Sequence, residues 1–161
     1  MTIPRRILGV DPGLHITGYG VIELNPGVKL CEAGIIRVTE KSMAERVLAI
    51  HSGLIEVIEQ FRPEVLAVEQ LYAHYKHPRT AILMGHARGV IFLAAAQHKL
   101  PVVSYNATRI KKIVTGSGRA SKDQVQRTIQ RELGLATAPE PPDVADALAA
   151  ALCHFYTARD V

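Results

Sequence analysis

The sequence predicts an α/β fold, a five-stranded mixed sheet flanked by helices. Three observations carry that prediction. The run Ile7-Leu8-Gly9-Val10 is apolar at consecutive positions, as suits a central strand buried on both faces. Two more β-rich segments follow after short turns, and then the pattern changes to strands alternating with helical stretches. Each change of pattern is marked by a cap or breaker: Asn25-Pro26-Gly27, Ser42-x-x-Glu45, Pro63, Pro101 and Ser121-x-x-Gln124.

In order, residues 5–10 form the first predicted strand, residues 17–24 the second and residues 28–38 the third. Their short connections imply an antiparallel meander. Ser42 opens a helix whose apolar positions Met43, Val47, Ile50, Leu54 and Ile58 recur close to the helical period. The apolar segment 64–69 is the fourth strand, ending on Glu69. A helix crossing between two strands implies parallel pairing. Residues 80–98 form an alanine-rich helix that is apolar nearly all round, as expected in a core or at an interface. After Pro101, the run Val102-Val103-Ser104-Tyr105 is the fifth strand. Asn106 caps a helix ending near Gly116, and Ser121 starts another. The proline-rich stretch 136–142 leads into a last helix to about Tyr156.

With 161 residues and 48% hydrophobic composition, one domain over 1–161 is expected and disorder is not. No apolar run reaches the roughly 18 residues of a membrane span, and the first ten residues do not read as a secretion signal, so a cytoplasmic location is expected. Cys31 and Cys153 lie in no metal-binding spacing and read as buried reduced thiols. The net charge is +4, and it is concentrated. Between Tyr105 and Arg131 stand Arg109, Lys111, Lys112, Arg119, Lys122, Arg127 and Arg131 against Asp123 alone. Such a stripe fits a polyanion, nucleic acid above all.

The candidate chemistry lies in carboxylates. Asp11 follows the first strand and Glu69 ends the fourth; if these strands are parallel neighbours, the two acids share the carboxyl edge of the sheet, where open α/β sheets carry their sites. Asp143 and Asp146 stand three apart at the start of the last helix and so face one side. Four crowded carboxylates are tolerable only with divalent cations or shared protons between them. Hard oxygen donors suit Mg²⁺ or Mn²⁺. Two such ions about 4 Å apart can clamp a phosphodiester. Gly13 is expected to permit a close approach of backbone or substrate beside Asp11. His74-x-x-His77 invites a zinc reading, but nothing supplies the remaining ligands; a DNA-facing loop with Lys76 and Arg79 near phosphates suits it better.

Taken together and in order, residues 9–23, 66–72, 85–91, 116–125 and 141–154, which include "GVDPGLHITGYGVIE", "LAVEQLY" and "PPDVADALAAALCH", resemble the RuvC-type Holliday junction resolvases of bacteria. The resemblance covers nearly the whole chain. It implies a ribonuclease H-like fold and a homodimeric, Mg²⁺-dependent endonuclease, with two ions per subunit and Mn²⁺ able to substitute. Such an enzyme nicks two opposed strands of a four-way DNA junction in recombination and repair, and works with the RuvA-RuvB branch-migration complex. The family's metal-binding carboxylates fall on Asp11, Glu69, Asp143 and Asp146; some members carry histidine in place of Asp143. The family's stacking aromatic falls on Tyr72, where phenylalanine is usual, and its two basic residues near the scissile phosphate fall on Lys111 and Lys122. Lys122 is expected to stabilise phosphate charge, while Tyr72, Lys76, Arg79, Arg109, Lys111, Lys112 and Arg119 are expected to meet DNA. Leu14-His15 departs from the small-polar and basic pair common in the family.

Other readings differ in what they require. An actin-like ATPase or sugar kinase also opens with a strand and an Asp-x-Gly turn, but needs a second lobe. A non-catalytic junction-binding module predicts loss of the carboxylates, and all four are present. A related ribonuclease H-like nuclease acting on RNA is not separated by the basic stripe. The apolar helix 80–98 is expected to lie partly in a dimer interface, since a two-fold dimer matches a junction of two-fold symmetry.

Overall fold

The computed structural model describes residues 5–24, 26–39, 41–71 and 77–160. Strands β1 (Arg6–Asp11), β2 (Ile16–Leu24) and β3 (Val28–Arg37) form the antiparallel meander. Helix α1 (Met43–Phe61) crosses to β4 (Val65–Glu69), which pairs parallel to β1. Helix α2 (Pro78–Gln97) leads to β5 (Val102–Tyr105), parallel to β4. Helices α3 (Ala107–Thr115), α4 (Lys122–Glu132) and α5 (Pro142–Arg159) complete the chain. The sheet is five-stranded and mixed, in the order β3-β2-β1-β4-β5.

The core has two layers because β1 and β4 are buried on both faces. Ile7, Ile22, Val65 and Ala67 pack against α3, α4 and α5. Leu8, Val10, Val21, Leu66 and Val68 pack against α1 and α2. Two glycines set the depth of α5. A Cβ on Gly9 would lie 1.9 Å from the main-chain oxygen of Ala147, and one on Gly20 would lie 2.3 Å from Leu148 Cδ2. Their absence lets α5 descend onto β1 and β2, where Leu148 and Leu152 are fully buried.

The predicted caps form, but the Ser42–Glu45 pair makes only one of the two bonds of a capping box, Ser42 accepting from the Glu45 N–H at 3.2 Å. Ser121 and Gln124 form a reciprocal capping box, Asn106 accepts from the Arg109 N–H at 2.8 Å, and Gly116 ends α3 at φ 88°. Several expectations shift: α2 begins at Pro78 rather than Thr80, because a proline fits the first turn of a helix, where its missing N–H costs nothing. β1 runs through Asp11, because the ladder with β2 continues to the Asp11–Gly18 pair. α5 extends three residues past Tyr156, with Thr157 bonded back to Cys153 O and Arg159 stacked on Phe155. Cys153 is buried but Cys31 is only half-buried, on edge strand β3; both are free.

Helix α2 is not a core helix. Ala87, Ile91, Ala94 and Ala95 are buried, yet Ile82, Phe92 and Leu93 are 62%, 40% and 52% exposed. By length and composition alone it is apolar enough to cross a membrane, although Arg79, His86 and Arg88 interrupt it.

Candidate functional site

The carboxyl ends of β1 and β4 lie side by side, with Val10 opposite Val68, so Asp11 and Glu69 are next in register. Across the other edge of β1, Asp11 stands opposite Gly18 of β2. Gly18 is where α5 begins: a Cβ there would lie 2.2 Å from the main-chain oxygen of Asp143 and 2.9 Å from its Cβ. The missing side chain thus seats Asp143 directly above the strand beside Asp11. Asp146, one turn further along α5, lines a cavity of about 280 Å³ together with Glu69, Lys111 and Lys122.

The electrostatics record this convergence. Asp11 has its pKa raised to about 8, first by burial and then by the charges of Asp146, Asp143 and Glu69; its carboxyl lies within hydrogen-bonding reach of that of Asp143. Burial raises Glu69 as well, with Asp146 adding to it, while Lys111, Arg88 and Lys122 pull it back. Asp146 is raised by burial and by Asp143, and held down by Lys122 and Lys111. Asp11 therefore senses the other three acids, and two ammonium groups compensate from one side at Glu69 and Asp146.

The donor set suits a hard divalent cation: four carboxylates, no sulfur, and rigid strand and helix termini beneath them. Among the described residues, no three His, Cys, Asp or Glu side chains are close enough to hold an ion as they stand. Four anionic side chains at one point repel until a cation comes between them. The fit therefore rests on the composition and placement of the set.

The turn after Asp11 is tight. Thr17, fully buried, donates its hydroxyl to Gly13 O at 3.2 Å and faces the Gly13 N–H at 3.3 Å. A Cβ on Gly13 would lie 2.0 Å from Ile16 O. The close approach expected at Gly13 is thus made by the chain's own turn.

The basic residues divide. Lys111 of α3 and Lys122 of α4 reach the carboxylates. Arg109, Lys112 and Arg119 are exposed along α3 and the loop after it, with the Arg109 guanidinium 5.3 Å from the centroid of Tyr105. Tyr105 is held in turn by a 2.7 Å hydrogen bond between its hydroxyl and His154 Nδ1. Arg127 pairs with Asp123 at 3.0 Å on the exposed face of α4. Arg79 is exposed in the first turn of α2, and His77 is the residue before it. Tyr72, His74 and Lys76 lie outside the described residues.

Sequence reasoning gave no role to Arg88 or Gly18. Arg88 reaches from α2 to the Glu69 carbonyl and lines a cavity with Asp11, Pro12, Glu69 and Met84. An arginine in the middle of a largely apolar helix was the available signal.

Comparison with known proteins agrees with this geometry. Residues 7–154 match the family described as crossover junction endodeoxyribonuclease RuvC. The protein of that name from Rhodopirellula baltica is 52% identical over 157 residues, covering 96% of this chain and 88% of the relative. The one from Hydrogenovibrio crunogenus is 44% identical, covering 93% and 87%. The structure of Thermus thermophilus RuvC in complex with Holliday junction substrate superposes with a TM-score of 0.91 at 34% identity, covering 97% of this chain and 96% of that one. The five-stranded sheet and its helices are those of the ribonuclease H-like resolvases, and the chain belongs to the RuvC crossover junction endodeoxyribonuclease family.

Proposed function

We propose that this chain resolves four-way DNA junctions by metal-dependent hydrolysis of phosphodiesters on two opposed strands. The observation that carries this is the meeting of Asp11, Glu69, Asp143 and Asp146 at one end of the sheet, with Lys111 and Lys122 beside them, in a member of this family. The four carboxylates are the residues that would hold Mg²⁺, two ions per subunit, with Mn²⁺ able to replace it. Bound there, the cations supply activation of water and neutralisation of phosphate charge.

The protein's own groups divide the remaining work. Asp11 is held in its ladder with β2, one residue past the last β1–β4 pair, so it orients without searching. Lys122 and Lys111 place positive charge on the cavity wall where charge builds on a phosphate in the transition state. Water is the nucleophile, with no covalent enzyme intermediate. The exposed residues Arg109, Lys112 and Arg119 extend the basic surface for the DNA backbone, with Arg79 at the start of α2, and Tyr72 and Lys76 in the segment preceding α2.

We further propose a two-fold dimer through α2. Ile82 and Leu93 lie eleven residues apart on one exposed face, with Gly85 and Gly89 between them, where an added Cβ would meet nothing. A second copy of the helix would cover that apolar face and present two sites to two strands. Cooperation with the RuvA-RuvB branch-migration complex follows from the family resemblance.

The test is cleavage of a labelled four-way junction beside linear duplex of the same sequence, with and without Mg²⁺ or Mn²⁺. Paired, metal-dependent nicks confined to the junction are expected. Equal cutting of both substrates would make this a different nuclease of the same fold, and tight junction binding without cleavage in either metal would make it a binding module.

A further inference from the structure

Residue 12 is proline, and this interrupts the β1–β4 ladder where the carboxylates meet. Successive strand residues turn their N–H and C=O groups alternately toward the two neighbouring strands. Leu66 donates to Pro101 O at 2.9 Å and Gln70 to Tyr105 O at 2.8 Å, so the even-numbered residues of this segment face β5 and Glu69 faces β1. With Val10 opposite Val68, the next donor the Glu69 carbonyl would meet on β1 is the N–H of residue 12. Proline has none. An unsatisfied carbonyl at a partly buried strand end is costly and leaves the end loose.

Arg88 fills that place. Its Nη1 donates to Glu69 O. The guanidinium also lies over the ring of Phe92, 5.3 Å from the centroid, one turn along the same helix. Aromatic contact on one side and a carbonyl acceptor on the other fix a planar group in a way that a lysine ammonium does not reproduce. The same side chain lines the cavity shared by Asp11, Pro12 and Glu69.

We propose that Arg88 is a positioning residue for Glu69: it supplies the main-chain donor that Pro12 lacks and so holds the carboxyl end of β4 in place beside Asp11. The proposal rests on the reading of Glu69 as a site carboxylate. Its test reads the backbone directly. Amide exchange at Gln70 and Leu66 is followed by NMR in the full chain and in Arg88→Leu and Arg88→Lys, the lysine variant keeping charge and stem in case the leucine variant folds poorly.

In both variants Gln70 is expected to exchange on the order of 10-fold faster, with Leu66 unchanged. Junction cleavage at saturating enzyme is expected to slow on the order of 10-fold, while junction affinity and its salt dependence stay within about twofold. Unchanged exchange at Gln70 would overturn the proposal. So would a loss of affinity with the bound-state cleavage rate intact, which would make Arg88 a phosphate contact. Exchange needs no cleavage, so a wild-type chain that left junctions uncut would count against the functional reading alone.

Discussion

Gly18 and Asp143 leave no room between them for a methyl group: a Cβ on Gly18 would lie 2.2 Å from the Asp143 main-chain oxygen. Since Gly18 is also the ladder partner of Asp11, one glycine sets the distance between two of the four carboxylates. Gly18→Ala is expected to push the start of α5 off β2, at a cost of about 1–3 kcal/mol in stability. Cleavage should fall on the order of 10-fold beyond what unfolding explains. Thermal melts and cleavage below the melting range check both. Wild-type activity in a folded Gly18→Ala chain would mean that this packing does not set the site.

The raised pKa of Asp11, about 8, gives a pH dependence with a definite sign. The folded chain holds this proton more tightly than the unfolded chain, whose aspartates titrate near 3.8. The stability it contributes is present in full below that value and is lost as pH rises toward about 8. The metal-free chain should therefore melt lower at pH 8 than at pH 6, and Asp11→Asn should flatten that slope. A cation binding there must displace the proton, so the Mg²⁺ concentration for half-maximal cleavage should rise about 10-fold for each pH unit below about 8. Titrating Mg²⁺ at several pH values measures it.

Lys122 pulls down the pKa of Asp146, and Lys111 does the same most strongly for Glu69. Removing either ammonium should raise the carboxylate it faces and remove charge from the cavity wall. Lys122→Ala and Lys111→Ala are each expected to lose on the order of 10²-fold in single-turnover cleavage. Junction affinity should change much less, since one phosphate contact among many sets it. Band-shift titration alongside single-turnover rates separates the two.

The exposed apolar face of α2 predicts an assembly state. Ile82→Glu combined with Leu93→Glu places two charges at positions now 62% and 52% exposed, so the fold of each chain should survive. Sedimentation should move from dimer to monomer at micromolar concentration, and paired nicking of one junction should give way to single nicks. A wild-type chain that sediments as a monomer would contradict the assignment of this face.

Much of this was legible in the sequence because the relevant signals are local. Ser121 with Gln124, and Asn106 before Arg109, announce helix starts through side-chain to main-chain bonds within three residues. Asp11 and Glu69 were readable as strand-end acids, and Asp143 and Asp146 as one helix face. What was not legible depends on partners distant in the chain. The role of Arg88 follows from the missing N–H of Pro12, seventy-six residues away, and from the direction in which Glu69 turns its carbonyl. Gly18 looks like any strand glycine until α5 is laid across it. The composition of α2 could not separate core from interface, because both are apolar. Lys111 and Lys122 were singled out by family resemblance, since the reach of a lysine cannot be read from spacing.

The most direct test of the central claim, that Asp11 and its neighbours form a cation-dependent nuclease site, is single-turnover cleavage of a four-way junction in Mg²⁺ by wild type and Asp11→Asn, with junction binding measured in parallel. Asp11→Asn is expected to bind the junction with affinity within about twofold of wild type and to cut it at least about 10³-fold more slowly. Cleavage by Asp11→Asn at the wild-type rate would contradict it.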